Sequence, residues 1–580
     1  MQNNQQRLFL LLILAVIIYF LYTKWVEYKN PAPITSIEQA VQGSQQGVGD
    51  GAVPMIGGND QGQPAAMNVE DYITVITDVY EMKIAKKGGD IIEAGLLQYP
   101  ESLEEKDQPF KVMDNTQERF QVTRTGLSSQ THEGTPNHTN AVFNSAQNHY
   151  ELADNAESLI VPLTFVDPAT GLTVTKTYEF KRGLYTVGFS QKLENNSNQV
   201  WVGGEYREIA ARKPKVEKGA AIGASSFDGS VFSLPNNDYK YEKLAYDKMT
   251  TKERGFNANG QEVTQYRPKE FRGEGGWVAM IEQYFVAASI PGKDKEATKQ
   301  TQNVIQTLQY GDFKDVSQNT YVIRMMDQSP VTVKPGESYD FESRYFIGPK
   351  LKEQLEETAA YLDLTLDFGW FSPISELMLW VLKFFYSFVG NWGWAIILLT
   401  LTVKLALFYF ANKGYTSMAR MRNVAPKLAL IREEYADNRQ KQSEEMMKLY
   451  RKEKINPLGG CWPIVIQIPV FIALFWMLME SVELRQAPWI LWIHDLSKMD
   501  PYFILPVIMG ITMFFQQRLN PAPTDPMQQK IMKWLPVVFT FMFMWFAAGI
   551  VLYWITNNLL TILQQTFIMK RVERDSKKHS

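Results

Sequence analysis

The chain has 580 residues, one cysteine and a formal net charge of −3. A single cysteine excludes an intrachain disulfide and a zinc site built from several cysteines, and near-neutral charge gives no reason to expect nucleic acid as the direct substrate. The mean hydropathy of −0.22 resembles that of a large soluble enzyme. That value averages a polar half, up to about Gly348, with an apolar half that begins near Phe371. The length leaves room for more than one domain.

The first apolar run is Leu8–Tyr22, which lies between Arg7 and Lys24. No cleavage site of small residues follows it, so the sequence predicts an uncleaved anchor helix rather than a signal peptide. The next segment, up to Met67, is rich in Gly, Gln, Pro and Ala and has few large apolar residues. Such a segment cannot bury enough surface to order itself, and we expect a flexible tether.

From about Asp71 to Gly348 the pattern changes to short alternating stretches separated by turn residues. Lys87–Asp90 separates two candidate strands, and Asp167-Pro168 and Gly183 divide the strands that follow. Many short strands with turns at such spacing predict an all-β sandwich. A sandwich of this size could bind carbohydrate or protein.

Motifs of catalysis are absent from the sequence. It contains no phosphate-binding GxxxxGK[ST] loop, no GxGxxG after a strand and no nucleophile elbow. Three histidines, His132, His138 and His149, lie in a polar stretch without the spacing of metal ligands, which indicates surface histidines. We therefore predict a protein that is not an enzyme, with no cofactor and no metal.

A short polar helix is predicted over Pro349–Tyr361, and a second helix begins at Ser372, because serine followed by proline is a good helix start. In the second helix Glu376, Lys383 and Ser387 share one face, and the other residues are mostly apolar or aromatic. This pattern favours an amphipathic helix that lies in the membrane surface. A core helix of the sandwich is the alternative.

Five further apolar segments are candidate membrane spans, which makes six with the anchor. They are Trp394–Tyr409, Trp462–Met479, Tyr502–Phe515, Trp534–Ala548 and Ile550–Phe567. The loop Lys413–Pro457 and the C-terminal tail are basic, whereas Glu480–Asp500 leans acidic. The positive-inside rule then places the basic loop and both termini in the cytoplasm and the β-domain in the periplasm. The sequence predicts a multi-pass protein of a bacterial inner membrane.

Lys404 lies in the middle of the first of these five segments. A charge at that depth costs on the order of 3 kcal/mol on insertion scales and marks a functional site by default. Gln467, Thr540, Asn557 and Asn558 lie at a similar depth, roughly 8–15 Å from the cytoplasmic ends of their segments. The five segments contain no Asp or Glu that could pair with the lysine. We predict a hydrophilic groove open to the cytoplasm; polar bridges between helices and a snorkelling lysine are the alternatives.

Some of the spans are short. Tyr502–Phe515 covers only about 21 Å as a helix, against a hydrocarbon core of about 30 Å. Short spans favour a locally thinned bilayer. A thinned bilayer beside a polar groove would lower the barrier to a polar peptide segment.

The basic loop contains two amphipathic stretches separated at Asp437-Asn438, which predicts a cytoplasmic helical hairpin. Methionines give the hairpin an apolar face suited to varied contacts. Its cations could contact the ribosome surface or lipid head groups, although a solvated charged face is the alternative. The cations that we expect to recruit such partners are Arg420, Arg422, Lys427, Arg432, Lys448 and Arg451.

Over about Phe371 to Arg571 the sequence resembles the YidC, Alb and Oxa family of membrane protein insertases. The segments that carry the resemblance are YTSMARMR, NPLGGCWPIVIQIPVFIALFWML, SVELRQAPWILWIHDLSKMDPYFILPVIMGITMFFQQ and TDPMQQKIMKWLPVVFTFMF. The N-terminal anchor and the β-domain follow the Gram-negative pattern of that family. The resemblance implies that the protein inserts and chaperones nascent membrane proteins without ATP, either alone or with the Sec translocon. It also implies that the cytoplasmic hairpin receives these chains from the ribosome or the signal recognition particle pathway.

The resemblance also implies roles for residues. The family's groove cation, usually arginine, falls on Lys404, and lysine keeps the charge but loses the planar fork of donors. The family's threonine one turn earlier matches Thr400. The adjacent tyrosine pair on the last span falls on Tyr553 and Trp554, so one tyrosine is replaced. On this reading an acidic substrate tail enters the groove, and its transmembrane segment slides into lipid past Phe471, Phe475, Met509 and Met513.

Two other functions remain open at this stage. A secondary transporter of a small anion would usually contain internal repeats and broken helices around its site, and the sequence shows neither. A membrane-tethered carbohydrate-binding protein would use the β-domain as its active part.

The predicted domains are an anchor (1–29), a linker (30–67), the β-sandwich (68–348), a linker with the interfacial helix (349–393), the insertase core (394–571) with the hairpin (413–457), and a basic tail (572–580).

Overall fold

The computed structural model describes residues 71–116, 118–132, 135–213, 227–235, 239–256, 262–310, 319–453, 462–520 and 526–578. The predicted anchor and tether lie outside the described residues. The chain divides into two compact units, which we describe separately. The β unit comprises Gly51–Glu376 with Phe475–Met499, and the helical unit comprises Met1–Asp50, Leu377–Leu474 and Asp500–Ser580.

Within the described residues the β unit has twenty strands. They are β1 (Tyr72–Ile76), β2 (Tyr80–Ala85), β3 (Ile91–Pro100), β4 (Pro109–Asn115), β5 (Phe120–Ser129), β6 (His149–Glu151), β7 (Ser158–Asp167), β8 (Leu172–Lys181), β9 (Thr186–Asn195), β10 (Trp201–Arg212), β11 (Gly229–Leu234), β12 (Tyr239–Ala245), β13 (Thr250–Phe256), β14 (Glu262–Glu274), β15 (Trp277–Ile281), β16 (Phe285–Pro291), β17 (Gln302–Tyr310), β18 (Thr320–Asp327), β19 (Val331–Val333) and β20 (Ser338–Pro349). Two short helices, α1 (Lys295–Lys299) and α2 (Lys352–Thr358), complete it. The predicted polar helix after Pro349 is α2.

The strands form two sheets. The larger has the order β13-β14-β17-β18-β10-β5-β4-β3-β2-β1-β6, with β19 beside β10, and the smaller has the order β12-β11-β15-β16-β20-β9-β8-β7. Lys176 of β8 connects the sheets, because its buried ammonium donates to Asp90 Oδ1 at 3.2 Å and to Thr125 Oγ1 of β5 at 2.6 Å. Two sheets packed in this way, antiparallel except for the parallel pair β1 and β6, are the β-sandwich that the sequence predicts.

The first strands differ in one respect from the prediction. The sequence predicts two strands around Lys87–Asp90, whereas the structure has three, because the chain turns between β1 and β2. The Thr77 hydroxyl accepts the N–H groups of Val79 and Tyr80 at 3.2 and 3.0 Å, and this local bonding replaces the sheet ladder at the turn. The hairpin at Asp167 is confirmed, since the Asp167 carboxylate accepts the N–H of Ala169 at 2.9 Å.

The segment Phe475–Met499, which the sequence assigned to a span end and an acidic loop, belongs to the β unit. The Arg485 guanidinium donates to the carbonyl of Pro100 at 2.8 Å. Lys350 and Glu480 form an ion pair at 3.7 Å in which both side chains are almost fully buried. Sequence periodicity does not reveal these contacts, because the partners are more than a hundred residues apart.

A charged row crosses three adjacent strands in the interior of the larger sheet. The Glu208 carboxylate of β10 accepts from Arg324 Nε of β18 at 2.7 Å, and Arg124 of β5 lies 3.6 Å away. All three residues are buried. Burial alone raises the pKa of the Glu208 carboxyl, but the neighbouring Arg324, His138 and Arg124 outweigh it and lower the pKa to about 2.

The prediction of surface histidines is wrong for His138. Its side chain is half-buried and its Nδ1 contacts the Tyr206 hydroxyl, with the two rings edge to face at 5.7 Å. Burial lowers the pKa of this imidazole. Within the described residues, no group of three His, Cys, Asp or Glu side chains could hold a metal ion.

The charged row makes the β unit sensitive to acid. Because the pKa of Glu208 lies below its ordinary value of 4.5, the carboxylate stabilises the fold above about pH 4.5, and this contribution is lost as the pH falls toward 2. We expect Glu208→Gln to lower the free energy of unfolding by about 3 kcal/mol at pH 7 and by much less near pH 2. Urea unfolding of the full-length protein, followed by its β-sheet circular dichroism, measures both values.

The matched control is Glu342→Gln, which removes one member of a solvent-exposed pair with Lys293 at 3.7 Å. Exposed pairs contribute at most about 1 kcal/mol. A Glu208→Gln loss that is the same at both pH values would contradict the ionic role of this carboxylate.

The C-terminal part of the chain is helical. The helices are α3 (Ser372–Val389), α4 (Trp392–Ala406), α5 (Phe408–Glu434), α6 (Arg439–Lys452), α7 (Trp462–Glu480), α8 (Ile504–Leu519), α9 (Pro526–Phe543) and α10 (Ala548–Lys578). Among the described helices none is both long and apolar enough to cross a membrane alone, whereas α4 and α5 together pass that criterion, with a 69° bend between them. The bend lies at Leu407, inside the predicted segment Trp394–Tyr409, because Leu407 has φ −88° and ψ 2° instead of helical angles.

Helices α5 and α6 pack against each other, with Val424, Leu428 and Tyr450 buried between them. Methionines border this small core, as the sequence pattern indicates. Asn438 caps α6, since its side chain accepts the N–H of Lys441 at 3.0 Å.

Candidate functional site

A narrow cleft opens between α4, α5, α7 and α10 in the helical unit. It is lined by Thr400, Val403, Lys404, Leu407, Phe410, Ala411, Tyr415, Ile466, Gln467, Tyr553 and Asn557. Five of these residues, Thr400, Lys404, Gln467, Tyr553 and Asn557, are sequence-predicted groove residues. The cleft has a volume of about 20 Å³, which is room for about one water molecule.

Lys404 is the cation of this cleft. Its ammonium donates to Thr561 Oγ1 at 2.8 Å and to Gln467 Oε1 at 3.5 Å. Among the residues that the structure describes, no carboxylate lies within 4.0 Å of the Lys404 ammonium. The positive charge is therefore held by neutral oxygens and is not cancelled by an opposite charge.

Asn557 connects the two partners of the lysine. Its Oδ1 accepts from Gln467 Nε2 at 2.6 Å, and its backbone carbonyl accepts from the Thr561 hydroxyl at 2.7 Å. Sequence reasoning missed Thr561, although a signal was available. Residues four apart lie on one face of a helix, so Thr561 lies on the same face as Asn557, which the sequence had already placed at the depth of Lys404.

Thr400 lines the cleft without a direct bond to the lysine. Its hydroxyl donates to the Ile396 carbonyl one turn earlier at 2.7 Å, and the side chain is almost fully buried. An oxygen that donates along its own helix still has lone pairs to offer a water or a ligand.

An aromatic cluster borders the cleft. The ring of Phe471 on α7 lies edge to face with Trp554 on α10 at 4.7 Å and is stacked with Tyr553 at 6.2 Å. Trp554 also contacts Phe543 of α9 at 5.3 Å. Trp554 thus contacts apolar rings on two neighbouring helices.

Two predicted groove residues lie elsewhere. Asn558 donates to Thr512 Oγ1 of α8 at 3.2 Å, and Thr540 of α9 donates to its own helix at the Pro536 carbonyl at 2.8 Å. Adjacent residues on a helix point about 100° apart, so Asn557 and Asn558 cannot both face the same cleft. The alternative of polar bridges between helices therefore fits Asn558.

The predicted slide residues have different surroundings. Met509 is fully buried and Met513 is half-buried on α8. Phe475 belongs to the β unit, where its ring contacts Trp476 at 5.7 Å. Of the four predicted residues, Phe471 has ring contacts beside the cleft.

The predicted recruiting cations lie on α5 and α6. Arg420, Arg422 and Arg451 are exposed, and Arg432 is half-buried. Two others have carboxylate partners. Lys427 pairs with Glu453 at 2.7 Å, and Lys448 pairs with Glu444 at 3.0 Å and with Glu445 at 2.9 Å.

Two family models match the chain, one for each half. Residues 72–381 match the family described as YidC periplasmic domain, and residues 384–576 match the family described as 60Kd inner membrane protein. The class of protein is therefore an inner membrane protein with a periplasmic β-rich domain followed by a helical part.

Curated relatives narrow the class to a family. The chain is 39% identical to a membrane protein insertase YidC of Nitrosococcus oceani over 98% of this chain and 99% of the relative. It is 40% identical to the Pseudomonas putida protein of the same name over 99% of each chain. A crystal structure titled active YidC insertase is 17% identical, with a TM-score of 0.35 over 86% of this chain and 92% of that one. The chain belongs to the YidC family of membrane protein insertases.

Close helix packing near the site rests on Gly510 of α8. A Cβ at this position would lie 2.0 Å from Thr540 Oγ1 of α9. Because Thr540 is β-branched and bonded to its own helix, Gly510→Ala should push α8 and α9 apart and lower the free energy of unfolding by about 1–3 kcal/mol. The thermal unfolding midpoint of the purified full-length protein in detergent measures the loss.

The double variant Gly510→Ala with Thr540→Ala is the control, because it removes the obstructing oxygen. We expect it to recover most of the midpoint. An equal loss in the single and the double variant would show that the Thr540 contact does not determine the packing.

Proposed function

We propose that this chain inserts nascent membrane proteins into the bacterial inner membrane and assists their folding, and that the cleft around Lys404 receives the polar part of the substrate. The observation that carries the proposal is the lysine itself, a cation in an apolar helical unit whose bonded partners are the neutral oxygens of Thr561 and Gln467. An uncompensated charge of this kind is expensive and is retained where it has a function.

The cleft and helix α8 together supply the three elements that transfer of a polar segment requires. The Lys404 ammonium attracts an acidic segment, and the amides and hydroxyls of Gln467, Asn557 and Thr400 replace part of its hydration. Helix α8 has 16 residues, or about 24 Å, which is shorter than a hydrocarbon core of about 30 Å. A short helix favours local thinning of the bilayer and so lowers the barrier.

The aromatic cluster supports a lateral exit for the apolar part of the substrate. Phe471 and Trp554 are half-buried beside the cleft and offer apolar rings to such a segment, whereas Tyr553 is buried against Phe471. Met513, half-buried on α8, is a further proposed contact of the segment. Met509 and Phe475 contribute to packing in the positions that they occupy here.

The proposal includes a topology. Six spans place both termini in the cytoplasm and the β unit in the periplasm, with the domain boundaries predicted from the sequence. Helix α3 suits the membrane surface, because Trp380, Phe384 and Phe388 are exposed and their rings contact one another along one face. The N-terminal anchor of this topology lies outside the described residues.

The hairpin of α5 and α6 is proposed as the cytoplasmic recruitment element. Its exposed Arg420, Arg422 and Arg451 can contact the anionic surface of a ribosome, a component of the signal recognition particle pathway or lipid head groups. Lys427 and Lys448 contribute less, because their carboxylate partners compensate them. Cooperation with the Sec translocon belongs to the same proposal.

Reversing the charge of the cleft tests the function. We expect Lys404→Glu to reduce insertion of a substrate with an acidic tail about tenfold or more, and insertion of the same substrate with a neutral tail much less, because attraction becomes repulsion. Insertion into proteoliposomes, scored by protease protection of the translocated tail, measures both rates. Lys413→Glu is the matched control, since Lys413 is exposed and contacts the Tyr409 ring at 4.6 Å outside the cleft. Equal effects on both substrates would end the electrostatic account.

Crosslinking locates the substrate path. A photoreactive residue at Gln467 or Trp554 should capture the transmembrane segment of a stalled nascent chain, and one at Thr400 should capture its polar flank. The control position is Leu563, which is exposed on α10 and does not line the cleft. Capture at Leu563 as strong as at Gln467 and Trp554 would place the path elsewhere.

A further inference from the structure

We infer that Asn557 is the positioning residue of the cleft, and that it orients the two neutral oxygens that hold the Lys404 ammonium ready for an acidic peptide segment. This inference rests on the proposed function. It goes further, because it assigns a role to a residue that need not touch the substrate and adds Thr561 to the site.

Asn557 orients the side-chain amide of Gln467. An amide has an acceptor end and a donor end, and only the acceptor end can face an ammonium. Gln467 Nε2 donates to Asn557 Oδ1 at 2.6 Å, which leaves Gln467 Oε1 directed to Lys404 Nζ at 3.5 Å. With the amide reversed, its NH₂ group would face the ammonium and both bonds would be lost. Asn557 therefore determines which end of Gln467 faces the lysine.

The backbone carbonyl of Asn557 orients the Thr561 hydroxyl. This group has one hydrogen, and it is donated to the backbone carbonyl of Asn557 at 2.7 Å. The oxygen lone pairs remain, and one of them accepts from Lys404 Nζ at 2.8 Å. Because Thr561 is buried, its hydroxyl has no bulk water to compete for that hydrogen. Two groups on Asn557, the side-chain oxygen and the carbonyl, thus make both partners of the lysine into acceptors.

The Lys404 ammonium keeps its positive charge and one N–H donor for a substrate. An ammonium has three N–H donors, and in the described part of the chain Lys404 uses two of them, on Thr561 and Gln467. Neutral acceptors fix the position of the amine without cancelling its charge. The remaining donor and the whole positive charge are available to a carboxylate of the substrate.

The same arrangement suits a lysine. Both acceptors converge on a single nitrogen atom, which is the geometry that a compact ammonium satisfies. A guanidinium distributes its donors over separate nitrogens in a rigid plane.

The test compares Thr561→Val with Thr561→Ser in the full-length protein in proteoliposomes. The readout is the ratio of insertion rates for two substrates that differ only in an acidic or a neutral tail. Valine removes the acceptor but keeps the shape, so we expect the ratio to fall at least threefold, whereas serine keeps the oxygen and should restore the ratio to near the wild-type value. Asn557→Leu, which removes the side-chain acceptor that orients Gln467, should lower the ratio at least as much.

The matched control is Thr402→Val. Thr402 is exposed on the helix of Lys404, and its hydroxyl donates to the Leu398 carbonyl at 2.9 Å, so the same change is made outside the cleft. A structural defect would lower both rates and leave their ratio unchanged, with no rescue by serine. That result would overturn this inference and leave the proposed function intact. The same conclusion would follow if Thr561→Val and Asn557→Leu kept the wild-type ratio while Lys404→Glu lost it. An unchanged ratio in Lys404→Glu would instead overturn the proposed function.

Discussion

A cation within apolar helices has to be held without being neutralised, and the helical unit depends on this constraint. Lys404 is bonded to Thr561 and Gln467, whose oxygens stabilise the ammonium but leave its net charge in place. Asn557 bonds to both partners, so three helices contribute to one small network. A carboxylate bonded to Lys404 in place of one of these neutral oxygens would have neutralised the charge that attracts a substrate.

The β unit handles buried charge in the opposite way. Glu208 lies between Arg324 and Arg124, and Lys176 bonds Asp90, so these buried ions have oppositely charged partners. Pairs of this kind fix the register of strands and the approach of sheets, and they leave nothing for a ligand. These compensated pairs contrast with the uncompensated charge of Lys404 in the helical unit.

Much of the site was predictable, because depth along a span is a local property. Counting residues from the span ends placed Lys404, Gln467 and Asn557 together, and the structure brings them into one network. The same count included Asn558 and Thr540, which bond elsewhere, because depth does not fix the direction in which a side chain points. Thr561 was omitted because an interior threonine is an ordinary helix residue, and only its distance to Lys404 distinguishes it.

The sequence by itself determined the alternating strands of the β-sandwich, the helices of the C-terminal part and the presence of one lysine without an acidic neighbour in its apolar segments. These features are local, since strand and helix periods and single charges are properties of short stretches. Only the tertiary structure decided the order of the strands, the inclusion of Phe475–Met499 in the β unit and the choice of Asn557 over Asn558 for the cleft. Each of these depends on contacts between residues far apart in the chain, where small differences in packing and hydrogen bonding select one arrangement among several that the local pattern allows.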